Sequence, residues 1–148
     1  MAKKILGTKA RFIERWCSIL KPKTKNWINL AQEDFEVAGH LFEKKKYLHC
    51  LFFCQQTIEK ALKAIYHEKY DKTPPRKHDL GALVDAAGIL SQLDKLKTDL
   101  LDTLSLYYIE SRYAEDRDAL AKNCTRVVAK DIIDQTGEIF EWLKNIMK

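Results

Sequence analysis

The stretch FFCQQTIEKALKAIYHEKYDKTPPRKHDL, residues 52–80, predicts a long helix that ends in a proline turn. Apolar residues recur every three or four positions, as on one face of an amphipathic helix. Pro74 and Pro75 exclude a continuing helix, because the residue before a proline is pushed out of the helical region. The apolar stripe of this helix, predicted over residues 47–69, consists of Tyr47, Leu51, Cys54, Ile58, Ala61, Leu62 and Ile65.

The rest of the chain has the same helical periodicity. A short helix is predicted after His78 and Asp79, with Gly88 as its C-terminal stop. No stretch alternates as a strand does, and no internal repeat is visible. We therefore predict an all-α fold, an antiparallel up-and-down bundle of four long helices plus a short one. The other long helices are predicted at 27–45, 91–113 and 118–147, the first with Asn26 as its N-cap.

Charge divides the chain into two parts. Residues 1–25 carry a net charge of +7, whereas the whole chain of 148 residues carries +5, so residues 26–148 sum to −2. We predict a basic N-terminal arm over 1–25, with a short amphipathic helix at 10–20 that Pro22 ends, a linker at 21–25, and one bundle domain over 26–148. The arm is either a phosphate-binding segment or a merely soluble extension.

Composition argues against several classes of protein. With 46% hydrophobic and 32% charged residues, the chain is neither disordered nor fibrous. No apolar run approaches the roughly 18 residues that cross a bilayer, so we expect a cytoplasmic protein. Its four cysteines are expected to be reduced thiols. We predict no cofactor and no metal, although His49, Cys50 and Cys54 form a conceivable metal-ligand group.

Polar residues form a second strip on the helix at 47–69. Gln56, Glu59 and Lys63 are three and four residues apart and so share one face with Lys60. This strip is either the solvated side of the bundle, or a surface for a partner, a nucleotide or an RNA. Phe52 and Phe53 extend the apolar surface beyond one stripe, which favours a second contact such as a dimer partner.

Tyr108 and Arg112 form a second constellation, in the segment LYYIESRYAEDRD. They are four residues apart and stack on one helical face. The arginine near the helix C-terminus is either stabilised by the helix dipole or able to fork onto a phosphate, with a tyrosine beside it.

Taken in order along the chain, these motifs resemble the HEPN domain family, whose small helical proteins are widespread in prokaryotes. The resemblance extends over residues 27–143. It implies an antiparallel bundle, usually homodimeric, often encoded beside a minimal nucleotidyltransferase in toxin–antitoxin pairs. Many members are metal-independent RNases with an Arg-x(4–6)-His motif, and others are thought to bind nucleotides. The matching residues are Gln55, Gln56, Glu59, Lys60, Ala61, Lys63, Ala64, His78, Asp79, Leu80, Arg112 and Tyr113.

The nuclease motif is incomplete in this chain. Positions 117, 118 and 119 after Arg112 are Arg, Asp and Ala, and no histidine has an arginine five to seven residues before it. Without that imidazole no neutral-pH proton shuttle occupies the expected place, so we do not expect an efficient enzyme. Arg112 and His78 stay candidates for catalysis. His78 either caps its helix or packs under the proline turn, or it meets Arg112 in the folded bundle or across a dimer and lines a nucleotide pocket.

These observations lead to one principal functional prediction. We predict a homodimer that binds nucleotide or RNA phosphate, together with a nucleotidyltransferase-type partner. The alternatives are a metal-independent RNase that uses His78, and a pure protein-interaction module. The predicted nucleotide-binding residues are Lys60, Lys63, His78, Tyr108, Arg112 and Tyr113, and the predicted interface residues are Phe52, Gln55, Gln56 and Glu59.

Overall fold

The computed structural model describes residues 19–147, apart from the side chain of Ala114. Six α-helices follow one another, and no strand occurs among these residues. The predicted all-α fold is therefore confirmed. The helices are α1 (Pro22–Glu43), α2 (Tyr47–Tyr70), α3 (Leu80–Ala86), α4 (Lys95–Glu110), α5 (Ala114–Asn123) and α6 (Arg126–Ile146), with a single 3-10 turn (Leu90–Gln92) before α4.

Helix α2 forms the centre of the bundle. It packs most extensively against α1, and it also contacts α6, α4 and α3. Fourteen of its 24 residues are buried, so the helix is covered on more than one side. Polar groups on such a helix need hydrogen-bond partners inside the protein, because water does not reach them.

The hydrophobic core lies between α2 and its neighbours. Among the largest fully buried apolar side chains are Ile58 and Leu62 of α2, Leu104 of α4, and Phe140 and Leu143 of α6. Each side chain of this size stabilises the fold by roughly 1.5–3 kcal/mol when it leaves water. The stripe predicted from sequence for α2 is thus the one that faces the core.

Helix α1 begins at Pro22, five residues before its predicted start at residue 27. Proline is favourable at the first helical position, because the N–H that it lacks would have no partner there. The start of α1 is tied to α2, since the Lys21 N–H and the Thr24 hydroxyl donate to the Glu68 carboxylate at 3.2 and 2.5 Å. The residues predicted as a linker therefore form the first turn of α1, and Asn26 lies inside the helix. The basic arm up to residue 18 lies outside the described residues.

The single helix predicted over 118–147 is two helices. Helix α5 ends at Asn123, and α6 begins after Thr125, whose hydroxyl accepts the Val128 N–H at 3.3 Å. This N-cap stabilises a new helix start where the apolar period alone suggested continuity. Val127, the second residue of the new helix, is 78% exposed.

Helix α4 is shorter than the predicted 91–113. Asp94 caps its start by accepting the Lys97 N–H at 2.9 Å, and the helix ends at Glu110. Arg112 therefore lies in the turn between α4 and α5 rather than within a helix. Within residues 19–147, no helix combines the length and the apolar character that crossing a membrane requires.

Candidate functional site

A buried carboxylate stands at the centre of the polar strip on α2. Glu59 is 3% exposed, and the Lys63 ammonium donates to its Oε1 at 2.8 Å. The amides of Gln55 and Gln56 approach Oε2 at 3.1 and 3.4 Å. His78 completes this group, which we call the Glu59 cluster: Gln55, Gln56, Glu59, Lys63 and His78. Its members join the middle of α2 to the segment before α3.

The charge of Glu59 is stabilised although it is buried. Burial raises the pKa of this carboxyl group, whereas hydrogen bonds from Lys63, Gln55 and His78 lower it. The hydrogen bonds and the positive charge of Lys63 together outweigh the burial, so the pKa of Glu59 lies below its ordinary value of 4.5. Lys63 is itself buried, with its Nζ 5.6 Å from the centre of the Trp27 ring. Glu59 and Lys63 thus form a buried ion pair, and the solvated-face alternative does not apply to these two residues.

His78 is held at both its backbone and its ring. Its carbonyl oxygen accepts from Gln55 at 3.0 Å, and its Nδ1 lies 3.1 and 3.2 Å from the two Glu59 oxygens. The tautomer with a proton on Nδ1 satisfies this contact and leaves Nε2 as an acceptor. The His78 side chain is 56% exposed. The helix cap is instead Asp79, which accepts the Ala82 N–H at 2.7 Å.

An aromatic stack extends from His78 to Arg112. The Tyr108 ring lies 5.4 Å from the His78 ring, and it stacks on Phe52 at 5.5 Å with an interplanar angle of 15°. The Arg112 guanidinium carbon lies 4.0 Å from the centre of the Tyr108 ring, and this guanidinium donates to the tyrosine hydroxyl. Burial raises the pKa of Tyr108, so its phenol is neutral at physiological pH. We call these four residues the Tyr108 stack.

An open groove of about 270 Å³ adjoins the Tyr108 stack. The beginning of α2 supplies one side, and the turn between α4 and α5 supplies the other. No carboxylate lines this groove, which we call the Arg112 groove. Its apolar lining is Leu48, Phe52 and Phe53, and its polar lining is His49, Ser111, Arg112 and Arg117.

The structure brings only part of the predicted nucleotide site together. His78, Tyr108 and Arg112 are contiguous in the Tyr108 stack. Lys60 lies apart and forms an ion pair with Asp34 of α1. Tyr113 precedes α5 and is 61% exposed.

The predicted interface residues also differ in position. Gln55 is fully buried and Glu59 nearly so, within a single chain. Phe52 and Gln56 are half-buried, so contact with a partner would fall to them.

Sequence reasoning did not assign His49 and Arg117 to the phosphate site. A signal for His49 was available, because it precedes Phe52 and Phe53 by three and four residues and so shares their helical face. Arg117 carried no such signal, since the turn before α5 decides where it lies.

Thiols and metal ligands form no further site in the described part of the chain. Cys50, Cys54 and Cys124 are free and buried. Burial raises the pKa of Cys124 to about 11, so this thiol is protonated and unreactive at neutral pH. Among residues 19–147, no three His, Cys, Asp or Glu side chains are grouped as metal ligands would be.

Comparison with known proteins decides the family. The sequence matches the HEPN domain family over residues 24–146. The chain belongs to the HEPN family. The fold is similar to the crystal structure of TT1696 from Thermus thermophilus, with a TM-score of 0.72 over 84% of this chain and 98% of that one. At 21% identity this likeness supports the fold alone. No curated protein matches the sequence significantly.

This HEPN chain has an arginine at a position where the nuclease motif allows a histidine. Five residues after Arg112, where the nuclease motif allows a histidine, the chain has Arg117, and Arg117 lines the same groove as Arg112. The only imidazole in the Tyr108 stack comes from His78, which precedes α3. The site therefore combines two cationic side chains with two histidines from other elements, His78 in the Tyr108 stack and His49 in the lining of the groove.

Proposed function

We propose that this HEPN protein binds nucleotides or RNA through a phosphate contact at Arg112, without cutting them efficiently. The observation that carries the proposal is the position of the Arg112 guanidinium, which packs on Tyr108 beside a groove that no carboxylate lines. A stacked guanidinium loses little conformational freedom when it forks onto a phosphate. Half-buried Phe52 and Phe53 offer ring faces on which a base can stack.

The phosphate contact belongs to Arg112 rather than to the lysines of α2. Lys63 is buried against Glu59, and Lys60 is paired with Asp34. Releasing either ammonium for a ligand would leave its carboxylate partner without a counter-ion. Tyr108 and His78 support the bound group from the Tyr108 stack, and exposed Tyr113 is available as a second stacking ring.

Isothermal titration calorimetry with a panel of nucleotides and short RNAs tests this function. We expect saturable binding to the wild-type chain, and a loss of at least about tenfold in affinity in Arg112→Gln, because a hydrogen-bonded charge is removed. Arg126→Gln is the matched control, since Arg126 packs over Phe42 and does not line the groove. Absence of binding to any ligand in the panel would contradict the proposal.

A second candidate function, metal-independent RNA cleavage, is favoured by the contact between Glu59 and His78. With Nδ1–H donated to the carboxylate, Nε2 can accept the proton of a ribose 2′-hydroxyl. O2′ would then attack the adjacent phosphorus, the P–O5′ bond would break, and O5′ would take a proton from water. The products would be a 2′,3′-cyclic phosphate and a 5′-hydroxyl, with Arg112 stabilising the phosphorane. Cleavage in the presence of a chelator that is lost in His78→Ala would support this function.

We also propose a homodimer that associates with a nucleotidyltransferase-type protein in a toxin–antitoxin-like pair in a prokaryotic cytoplasm. Family membership supports this assembly, as does an uncovered apolar strip on α4. Leu106 and Ile109 of this strip are 48% and 55% exposed, and Tyr113 continues it past the helix end. Light scattering tests the dimer, with Leu106→Glu expected to give monomers.

Co-purification with the product of a neighbouring nucleotidyltransferase gene tests the partner, and its failure would leave a protein-interaction module of another kind.

A further inference from the structure

The Arg112 groove is lined by two guanidinium groups that are five residues apart, one in a turn and one in the helix after it. Arg112 lies in the turn after α4, and Arg117 is the fourth residue of α5. Among residues 19–147, neither side chain forms an ion pair with a carboxylate. Glu115 and Asp116 lie between the two arginines in sequence, in the first turn of α5, but neither lines the groove. Two unneutralised positive charges therefore border one small, partly apolar depression.

The charge and shape of phosphate esters decide what such a groove binds best. An internal phosphodiester carries one negative charge and two free oxygens. A terminal phosphomonoester carries about −1.5 to −2 charge at neutral pH and three acceptor oxygens. Each guanidinium donates through a planar fork that matches two oxygens of a phosphate. Two guanidinium groups thus match a phosphomonoester better than an internal phosphodiester, in both charge and number of acceptor oxygens.

The apolar side of the groove fits the remainder of a nucleotide. Phe53 meets Phe52 edge-on, with ring centres 5.5 Å apart and an interplanar angle of 82°. The two rings, with Leu48, form a corner against which a flat base can pack. His49 adds a hydrogen-bonding ring nitrogen from the same side of α2. The cationic end and the aromatic corner thus lie within one depression of about 270 Å³.

We propose that Arg112 and Arg117 together bind a terminal phosphate, so that the groove selects nucleoside monophosphates and phosphorylated RNA ends over internal phosphodiesters. This inference rests on the proposed nucleotide-binding function and deepens it. It assigns a binding role to Arg117, at a position that the nuclease motif allows for a histidine. The Arg112 contact provides affinity for any phosphate, and the Arg117 contact provides the selectivity for a phosphate end.

Binding assays with matched ligands test this selectivity. The ligands are AMP and one RNA hexamer, prepared with either a 5′-phosphate or a 5′-hydroxyl. We expect the 5′-phosphorylated hexamer to bind at least about tenfold more tightly than the 5′-hydroxyl hexamer. In Arg117→Gln this preference should disappear, while Lys122→Gln, which removes one charge from the same helix without touching the groove, should keep it.

The possible outcomes separate the inference from the function on which it rests. Binding of AMP alone that is lost in Arg117→Gln would support the inference for mononucleotides, and tighter binding of the phosphorylated hexamer that is lost in Arg117→Gln would support it for RNA ends as well. Equal affinity for the two hexamers, still dependent on Arg112, would overturn the inference and leave the proposed function standing. Absence of binding by all three ligands, with a folded protein, would overturn both.

Discussion

Replacing Glu59 with glutamine tests whether the Glu59 cluster holds α2 to the segment before α3. The change keeps the shape of the side chain but removes the charge that neutralises Lys63, whose side chain is only 10% exposed. Breaking a buried ion pair in this way costs about 3–5 kcal/mol. Because the neighbouring His78 is half-exposed and admits water, we expect the lower end, about 3 kcal/mol. At roughly 2–4 °C per kcal/mol this loss lowers Tm by about 10 °C.

Urea unfolding followed by circular dichroism measures this loss. Glu33→Gln on the exposed face of α1 is the control, and its free energy of unfolding should stay within about 0.5 kcal/mol of the wild type. Adding Lys63→Met to Glu59→Gln removes the stranded charge and should restore at least about 1 kcal/mol. A cost below about 1 kcal/mol for Glu59→Gln, or no recovery in the double variant, would refute the account of a buried ion pair.

Three further predictions concern stability. Because the pKa of Glu59 is lowered in the folded state, its charge stabilises the fold above pH 4.5, and this stabilisation is lost as the pH falls below 4.5. The difference in unfolding free energy between wild type and Glu59→Gln should therefore shrink between pH 7 and pH 3. Gly88→Ala should lower the unfolding free energy by about 1–2 kcal/mol, because Gly88 has φ +70 and its added Cβ would lie 2.5 Å from the Lys69 ammonium. Its counterpart, Gly39→Ala inside α1, has no atom within 4 Å of the added Cβ and should raise the unfolding free energy by about 0.5–1 kcal/mol in thermal melts. Phe140→Ala should lower the unfolding free energy by about 3–5 kcal/mol in urea, since this side chain is 1% exposed in the core.

The sequence allowed accurate prediction wherever one local rule decided the structure. The helical period placed α2 within one residue of its observed ends, and the i,i+4 spacing of Tyr108 and Arg112 predicted their stacking. The period failed at the junction of α5 and α6, because the Thr125 cap starts a new helix where apolar residues continue in register. At this junction the apolar period favours one continuous helix and the Thr125 cap favours two, and only the packed structure shows which of them forms.

The candidate site was less predictable, because its decisive contacts join distant residues. The Glu59–His78 contact joins residues 19 positions apart, and Lys60 meets Asp34 across 26 positions. Helical spacing correctly placed Glu59 and Lys63 together, yet it could not show that Trp27 and His78 cover them. Burial by other elements changed the interpretation of this strip from a binding surface to an internal ion pair.

The side-chain NMR signals of the arginines test the phosphate groove most directly. The chain has six arginines, and their Nε–H resonances can be assigned by single Arg→Lys variants. We predict that titration with a nucleoside monophosphate shifts the resonances of Arg112 and Arg117 in a saturable way and leaves that of Arg126 unchanged. Saturable shifts confined to other arginines, or no shift at any arginine, would contradict a phosphate site in this groove.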